Sequence, residues 1–268
     1  MKVVVLGANG MLGYTVLRFL KQQQMNAISF NEPWTPDHAP HALEMLKKLE
    51  PDACINAIGV IPGRGVDLST ALWVNGTLPG WISKRIPSNC AMIHASSDAV
   101  FEAQATGRRW DDSQSPDTDF GRTKRQGELG LNRSNDWIIR CSIIGLESHT
   151  KRSLLSWFLS QTDSASGFTN QMWNGVTTLE WARISFGILD GQFNASQRIV
   201  QPATLPPVSK YTLLKIIARI FQHSIELSPI ASTTAIQRSL IPNIPLSNSL
   251  DSQLIELREW WEDLKLYK

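Results

Sequence analysis

Three observations in the sequence predict an α/β fold: a doubly wound parallel sheet with a smaller C-terminal lobe. The first is a β-branched run, Lys2–Leu6, that leads through a glycine-rich turn into an amphipathic segment. The second is the regular alternation of short apolar runs with segments of helical period through the first half of the chain, which implies parallel strands joined by right-handed crossovers. The third is composition: 42% apolar against 19% charged residues suits strands covered on both faces. At 268 residues the chain is near the size where one core stops growing. A main domain is therefore expected over residues 1–150 and a lobe over 151–268, parts of which can return to the main sheet.

Each element follows from its local pattern. After the first strand, residues 11–23 carry Leu12, Val16, Phe19 and Leu20 at helical spacing. Residues 27–30 form a second strand, and a Pro-rich connection leads to a helix over 42–50 that Pro51 ends. Residues 52–60 read as a buried strand. Leu68, Ala71, Leu72, Leu78 and Ile82 keep a helical period over 67–85, opposed by Gly76 and Pro79. A strand at 90–95, a polar loop, a helix at 120–132 and a strand at 137–144 complete the alternation. Beyond residue 150 the rhythm is irregular, with helices at 154–160, 178–189, 209–221 and 253–264 and a short strand at 198–201.

Composition also excludes function classes. A net charge of +2 without a stripe of Lys and Arg gives no polyanion-binding field, so nucleic acid is not an expected partner. Cys54, Cys90 and Cys141 lie at or inside apolar runs, without Cys-x-x-Cys spacing or clustered histidines to complete a metal site. They read as small buried hydrophobes in a reducing compartment, and no metal is expected. The N-terminal apolar run stops at Gly7, short of a signal sequence, and no run is long enough to span a membrane. A soluble, cytoplasmic protein without a membrane partner is expected.

The turn Gly7-Ala8-Asn9-Gly10-Met11-Leu12-Gly13 lies where a strand ends and a helix begins. There the first glycine makes the tight turn, the second lets the backbone approach a pyrophosphate, and the third allows close helix–strand packing. The helix N-terminus adds N–H groups and a positive dipole. These residues point to a Rossmann-type site for NAD or NADP. Glu32 lies near the position of an acid that binds ribose hydroxyls, and no Arg or Lys lies between Asn26 and Glu44 to hold a 2′-phosphate, which favours NAD.

Further segments carry a joint signal. Residues 93–101 end a strand in Ser96, Ser97 and Asp98; residues 119–128 open a helix; Arg140-Cys141-Ser142 ends the next strand. With the glycine turn, the run 52–57 and Asn75, the first half of the chain resembles the extended short-chain dehydrogenase/reductases. Within them it resembles the dTDP-4-dehydrorhamnose reductase-like family of nucleotide-sugar enzymes. The resemblance implies that a Ser or Thr holds the sugar ketone, a Tyr supplies its proton, and a Lys four residues later binds the nicotinamide ribose. Ser97 and Lys124 fit those roles, and Asn56, Ala57 and Ile58 join Gly7, Asn9, Gly10, Met11, Leu12, Gly13 and Lys124 as expected cofactor contacts.

The Tyr position holds Phe120, which fills the same space but has no O–H to donate. Three accounts are open: ordinary reductase chemistry is lost, another group such as Ser97, Asp98 or a water replaces the phenol, or Phe120 is a substitution made to trap a ligand. As a structural residue, Phe120 reads as a core aromatic. Substrate contacts are expected from Ser97 and Asp98, from Arg64 in the loop 62–65, and from Trp173, Asn174 and Thr177 in a segment dense in amides, hydroxyls and aromatics. As structural residues, Ser96 and Ser97 could cap a turn, Asp98 a helix, and Thr177 or Thr178 an ordered loop.

The resemblance implies NAD(P)-dependent reduction of a nucleotide-linked 4-keto-6-deoxy sugar, in deoxysugar or polysaccharide biosynthesis, by a chain open to assembly as a homodimer. Two alternatives stand beside it. One is an epimerase or dehydratase that retains its cofactor, and the other is a non-catalytic regulatory protein, which Phe120 motivates.

Overall fold

The computed structural model describes residues 1–63, 65–147, 151–194, 197–246 and 248–264. In chain order the elements are β1 (Lys2–Leu6), α1 (Met11–Gln22), β2 (Asn26–Phe30), α2 (Ala39–Lys48), β3 (Ala53–Asn56), α3 (Leu68–Ala71), a π-helical segment (Leu72–Thr77), α4 (Leu78–Ser83) and β4 (Ala91–Ala95). They continue with a 3₁₀ turn (Asp98–Val100), α5 (Asp119–Leu129), β5 (Asp136–Ile139), β6 (Ile143–Ile144), α6 (Leu154–Leu159), β7 (Ser164–Phe168), β8 (Met172–Trp173), β9 (Val176–Thr177) and α7 (Thr178–Leu189). The last are β10 (Ile199–Val200), β11 (Val208–Ser209), α8 (Lys210–Ile220), β12 (Glu226–Ile230) and α9 (Leu250–Asp263). The chain divides into two compact units: residues 1–102, 113–140 and 182–200, and residues 103–112, 141–181 and 201–268.

In the first unit six parallel strands lie in the order β2-β1-β3-β4-β5-β10. The chain runs outward from β1 in both directions. The point of reversal between β1 and β3 is therefore where an open α/β sheet holds its ligand, beyond the strand C-termini. Val4, Leu6, Cys54, Met92 and Ile138 pack against Leu43 and Leu46 of α2 and Ile82 of α4 in one apolar cluster. All four residues of β3 and of β5 are buried, as strands covered on both faces require.

Several elements differ from their sequence-based bounds for visible reasons. The second helix starts at Ala39 rather than 42 because Pro40 is seated in its first turn, where a missing N–H costs nothing. The expected helix over 67–85 divides after Ala71 and after Thr77 into α3, the π segment and α4, with Gly76 inside the π segment and Pro79 in the N-terminal turn of α4. The strand expected over 52–60 pairs only through Asn56, so residues 57–63 leave the sheet at its C-terminal edge. The run 137–144 breaks after Ile139, and Ile143–Ile144 pairs with β9 in the second unit.

Among the described residues, the second unit holds three two-stranded pairings, the helices α6, α8 and α9, and the first turn of α7. β7 and β12 run parallel, β6 and β9 run parallel, and β8 and β11 run antiparallel. Serine caps α6, α8 and α9 through Ser153, Ser209 and Ser249, each accepting a first-turn backbone N–H. Trp181 and Trp261 are among its largest fully buried side chains. Among the described residues no helix is long and apolar enough to cross a membrane.

Candidate active site

The glycine turn has the geometry its sequence requires. Gly7 has a φ of +75°, a left-handed conformation that favours glycine. A Cβ at Gly13 would lie 2.2 Å from the Gly7 carbonyl oxygen, so α1 lies against the end of β1 only because position 13 has no side chain. The first turn of α1 carries no acidic residue and no side-chain cap, which leaves its N–H groups and positive dipole end facing outward. Asn9 and Gly10 are exposed, Met11 is half-buried and Leu12 points into the core.

The segment after β3 closes against this turn. Ala57 N–H donates to the Leu6 carbonyl at 3.1 Å, and a Cβ on Gly7 would meet Ile58 at 3.0 Å. Asn56 is fully buried and its side-chain oxygen Oδ1 accepts from the Ile58 N–H at 3.1 Å. Its amide N–H₂ therefore faces His94 Nδ1 at 3.2 Å, which makes Nδ1 the acceptor and leaves the ring proton on Nε2. Burial holds the His94 imidazole well below its usual pKa, with the Lys124 charge adding to the effect. Asn75, in the π segment, fixes the next stretch. Its amide donates to the Val60 carbonyl at 2.8 Å and accepts from the Val60 N–H at 3.0 Å.

Lys124 lies at the centre of this arrangement. Its side chain is buried and Nζ donates to the Ala95 carbonyl, the last residue of β4, at 2.9 Å. A Cβ on Gly59 would come within 3.3 Å of the same nitrogen, so the glycine leaves the amine room beside the loop after β3. Burial pushes the ammonium down to about 8, against which the Glu128 carboxylate raises it.

That depression has a stability sign. Below pH 8 the folded chain must hold a charged amine in a dry site, at a cost of roughly 3 kcal/mol. Between about 8 and the ordinary value of 10.5 the unfolded chain binds more protons, so stability rises with pH through that window. Lys124→Met is therefore expected to be more stable than the parent by about 1–3 kcal/mol near neutrality, after the orphaned Ala95 carbonyl takes its share. The advantage should shrink toward pH 10.5. Urea unfolding of both proteins across this range checks it, and a variant less stable at neutral pH would contradict it.

Ser97 lies two residues beyond the carbonyl that Lys124 contacts. It caps the 3₁₀ turn by accepting from the Ala99 N–H at 3.1 Å, while its own hydroxyl donates to Asp98 at 3.1 Å. Phe120 lies in the first turn of α5, after the Thr118 cap, and is half-buried rather than part of the core, which corrects the reading of it as a core aromatic. Positions 120 and 124 lie one turn apart on the same helix face.

A buried ion pair supports this helix. Arg140 donates to both Glu128 carboxylate oxygens, at 3.0 and 2.7 Å, and lies over the Phe101 ring at 5.4 Å. Ser96 and Gln114 complete the acceptor capacity of the same carboxylate. Spacing alone did not reveal this network, because Glu128 and Arg140 lie on different elements and only the fold brings them together.

Beside the glycine turn a cavity of about 560 Å³ is lined by Gly7, Asn9, Glu32, Trp34, Ile58 and Trp73 among others. Its aromatic wall, Phe30 against Trp34 at 5.7 Å together with Trp73, offers faces to a planar base. The sequence reading missed Trp34 and Trp73, which are isolated tryptophans in irregular or divided segments. Glu32 lies in this wall and accepts from His38 at 3.1 Å. The turn without a Cβ, the uncapped helix start and this cavity fit a dinucleotide. The sequence reading took the histidines as unclustered, whereas the fold groups His38 and His41, three residues apart, with Glu32.

The remaining expected site residues are placed as follows. Arg64 lies outside the described residues. Trp173, Asn174 and Thr177 belong to the second unit, where their polar groups serve the scaffold. The Trp173 indole donates to Ser142 at 2.9 Å. Asn174 donates to the Leu240 carbonyl and accepts from its N–H, and the Thr177 hydroxyl accepts from Glu180 N–H at the start of α7.

A family model described as the RmlD substrate binding domain matches residues 1–267. A curated relative, a probable low-salt glycan biosynthesis reductase of Haloferax volcanii, is 28% identical over 235 residues, covering 76% of this chain and 77% of the relative. Among solved structures, dTDP-4-dehydrorhamnose reductase of Bacillus anthracis in complex with NADP superposes with a TM-score of 0.82 at 13% identity, over 97% of this chain and 99% of that one. A dTDP-4-dehydrorhamnose reductase of Clostridium acetobutylicum superposes with a TM-score of 0.79 at 16% identity, over 98% and 100% of the two chains. At these identities the superpositions show the shared fold.

Proposed function

The chain belongs to the RmlD substrate binding domain family, and on that premise we propose an NAD(P)-dependent oxidoreductase that reduces the keto group of a nucleotide-linked 4-keto-6-deoxy sugar. The observation that carries this reading is the convergence of three features at the C-terminal edge of one parallel sheet. They are the phosphate-accepting turn after β1, the Lys124 amine against the end of β4, and the Ser97 hydroxyl two residues further on. The Haloferax reductase and the NADP-bound Bacillus reductase support the same reading.

A bound nicotinamide dinucleotide supplies the hydride. The first turn of α1 holds its pyrophosphate with backbone N–H groups, and Glu32 accepts from ribose hydroxyls, which favours NAD over NADP. Lys124 donates to the second ribose, and its positive charge stabilises the oxyanion that forms as the ketone is reduced. Ser97 turns its single hydroxyl hydrogen from Asp98 to the ketone oxygen. Phe120 has no proton to give, so the oxyanion takes its proton through Ser97, Asp98 or water. Lys124, with a pKa of about 8, is the nearby acid that refills that position.

The test is oxidation of NADH and NADPH with a panel of dTDP- and UDP-linked 4-keto sugars. The expected result is slow oxidation matched one-to-one by reduced sugar and falling as pH rises past 8, where Lys124 loses its proton. Cofactor binding without oxidation on any keto sugar would reject the reductase reading. Phe120 favours a second reading in that event: a cofactor-retaining epimerase or dehydratase, recognised by sugar conversion without net oxidation, or a regulatory protein, recognised by a stable partner enzyme.

A further inference from the structure

From the cluster of Glu32, His38 and His41 we infer a binding site for a divalent transition metal, of the zinc class, next to the cofactor cavity. The three residues offer two imidazole nitrogens and a carboxylate oxygen whose ligand atoms all lie within 4.8 Å of one another. His38 Nε2 and Glu32 Oε2 are 3.1 Å apart. Two ligands on one tetrahedral zinc, each bonded at about 2.0–2.1 Å, lie about 3.3 Å apart, so this pair already has the required spacing. The His38 and His41 rings are 5.1 Å apart, and position 41 follows position 38 by three residues at the start of α2, which puts both on one face. His41 is exposed, and the ring nitrogen it offers lies within 4.8 Å of both other ligand atoms. Glu32 and His38 are half-buried, so water completes the coordination.

The donor set selects the metal. Two imidazoles with one carboxylate suit Zn²⁺, Co²⁺ or Ni²⁺, whereas Mg²⁺ and Ca²⁺ prefer all-oxygen sites. Occupancy has a consequence at the neighbouring cavity, because Glu32 lines it. A metal on this carboxylate draws charge and acceptor capacity away from ribose hydroxyls, so metal and dinucleotide compete, each weakening the other by the same factor. This competition rests on the cofactor reading proposed above, whereas the metal site does not.

The test titrates Co²⁺, read by visible absorption, and Zn²⁺, read by calorimetry, into the purified full chain and its His41→Ala variant, with and without NADH. One metal per chain is expected, with Zn²⁺ displacing Co²⁺, His41→Ala weakening binding at least tenfold at an unchanged melting temperature, and NADH and Zn²⁺ antagonising one another. Absence of binding up to millimolar metal overturns the site, as does binding that His41→Ala leaves unaltered. Tight Zn²⁺ binding that leaves NADH affinity unchanged overturns the competition. A chain that binds no NADH even without metal rejects the cofactor reading, while the metal titration decides the site on its own.

Discussion

Phe120→Tyr is expected to raise the single-turnover rate of keto-sugar reduction by about two to four orders of magnitude, the range a positioned general acid supplies. The phenol ring occupies the space the phenyl ring already fills, in the first turn of α5 and one turn before Lys124. The buried ammonium at 124 favours the phenolate form, which lowers the phenol's pKa toward the working pH. The gain should therefore depend on Lys124: Phe120→Tyr combined with Lys124→Met should recover little of it, a non-additivity that marks two groups acting as a unit. Rapid-quench measurement of reduced sugar at saturating NADH and NADPH checks both statements. A Tyr variant no faster than the parent would mean that position 120 is not a disabled acid. The chain would then use another proton source or do other chemistry.

Glu128→Ala should destabilise the chain by about 3–5 kcal/mol, because it leaves Arg140 charged and buried with its carboxylate gone. The Arg140 and Glu128 side chains are 1% and 4% exposed, so solvent cannot compensate either of them. Ser96 and Gln114 lose their acceptor in the same step. The midpoint of urea unfolding reads the effect. Replacing both partners by Met should recover most of the loss, since an apolar pair of similar volume avoids the stranded charge. Equal losses in the single and double variants would contradict this account. Because Glu128 raises the Lys124 pKa, the single variant's reductase activity should also fall off at lower pH than the parent's.

The central sheet and its glycine turn were legible because their signals are local. β-branched runs bounded by turns give the strands, and three glycines between strand and helix give the turn. The strands β7 and β12 were not legible. Ser164–Phe168 and Glu226–Ile230 have few β-branched residues, and Pro229 within the second argues against a strand on sequence grounds. They pair with each other across more than fifty residues of chain, so nothing nearby announces them. At the candidate site, Ser97 and Lys124 were named through the family resemblance. Glu128 with Arg140, and Trp34 with Trp73, needed the fold, since each pair is joined only when distant segments are brought together. His38 and His41 were visible three residues apart, but without Glu32 alongside they signalled nothing.

The π-helical segment Leu72–Thr77 makes chain length a functional quantity. Its wider turn lets Asn75 meet both the N–H and the carbonyl of Val60, and so holds the loop beside Gly59 and Lys124. Removing any one residue there leaves an ordinary, narrower α-helix without the wider turn that lets Asn75 span to Val60. A gap of one residue in this stretch would thus disable the loop as surely as loss of the asparagine, with every contacting side chain still present.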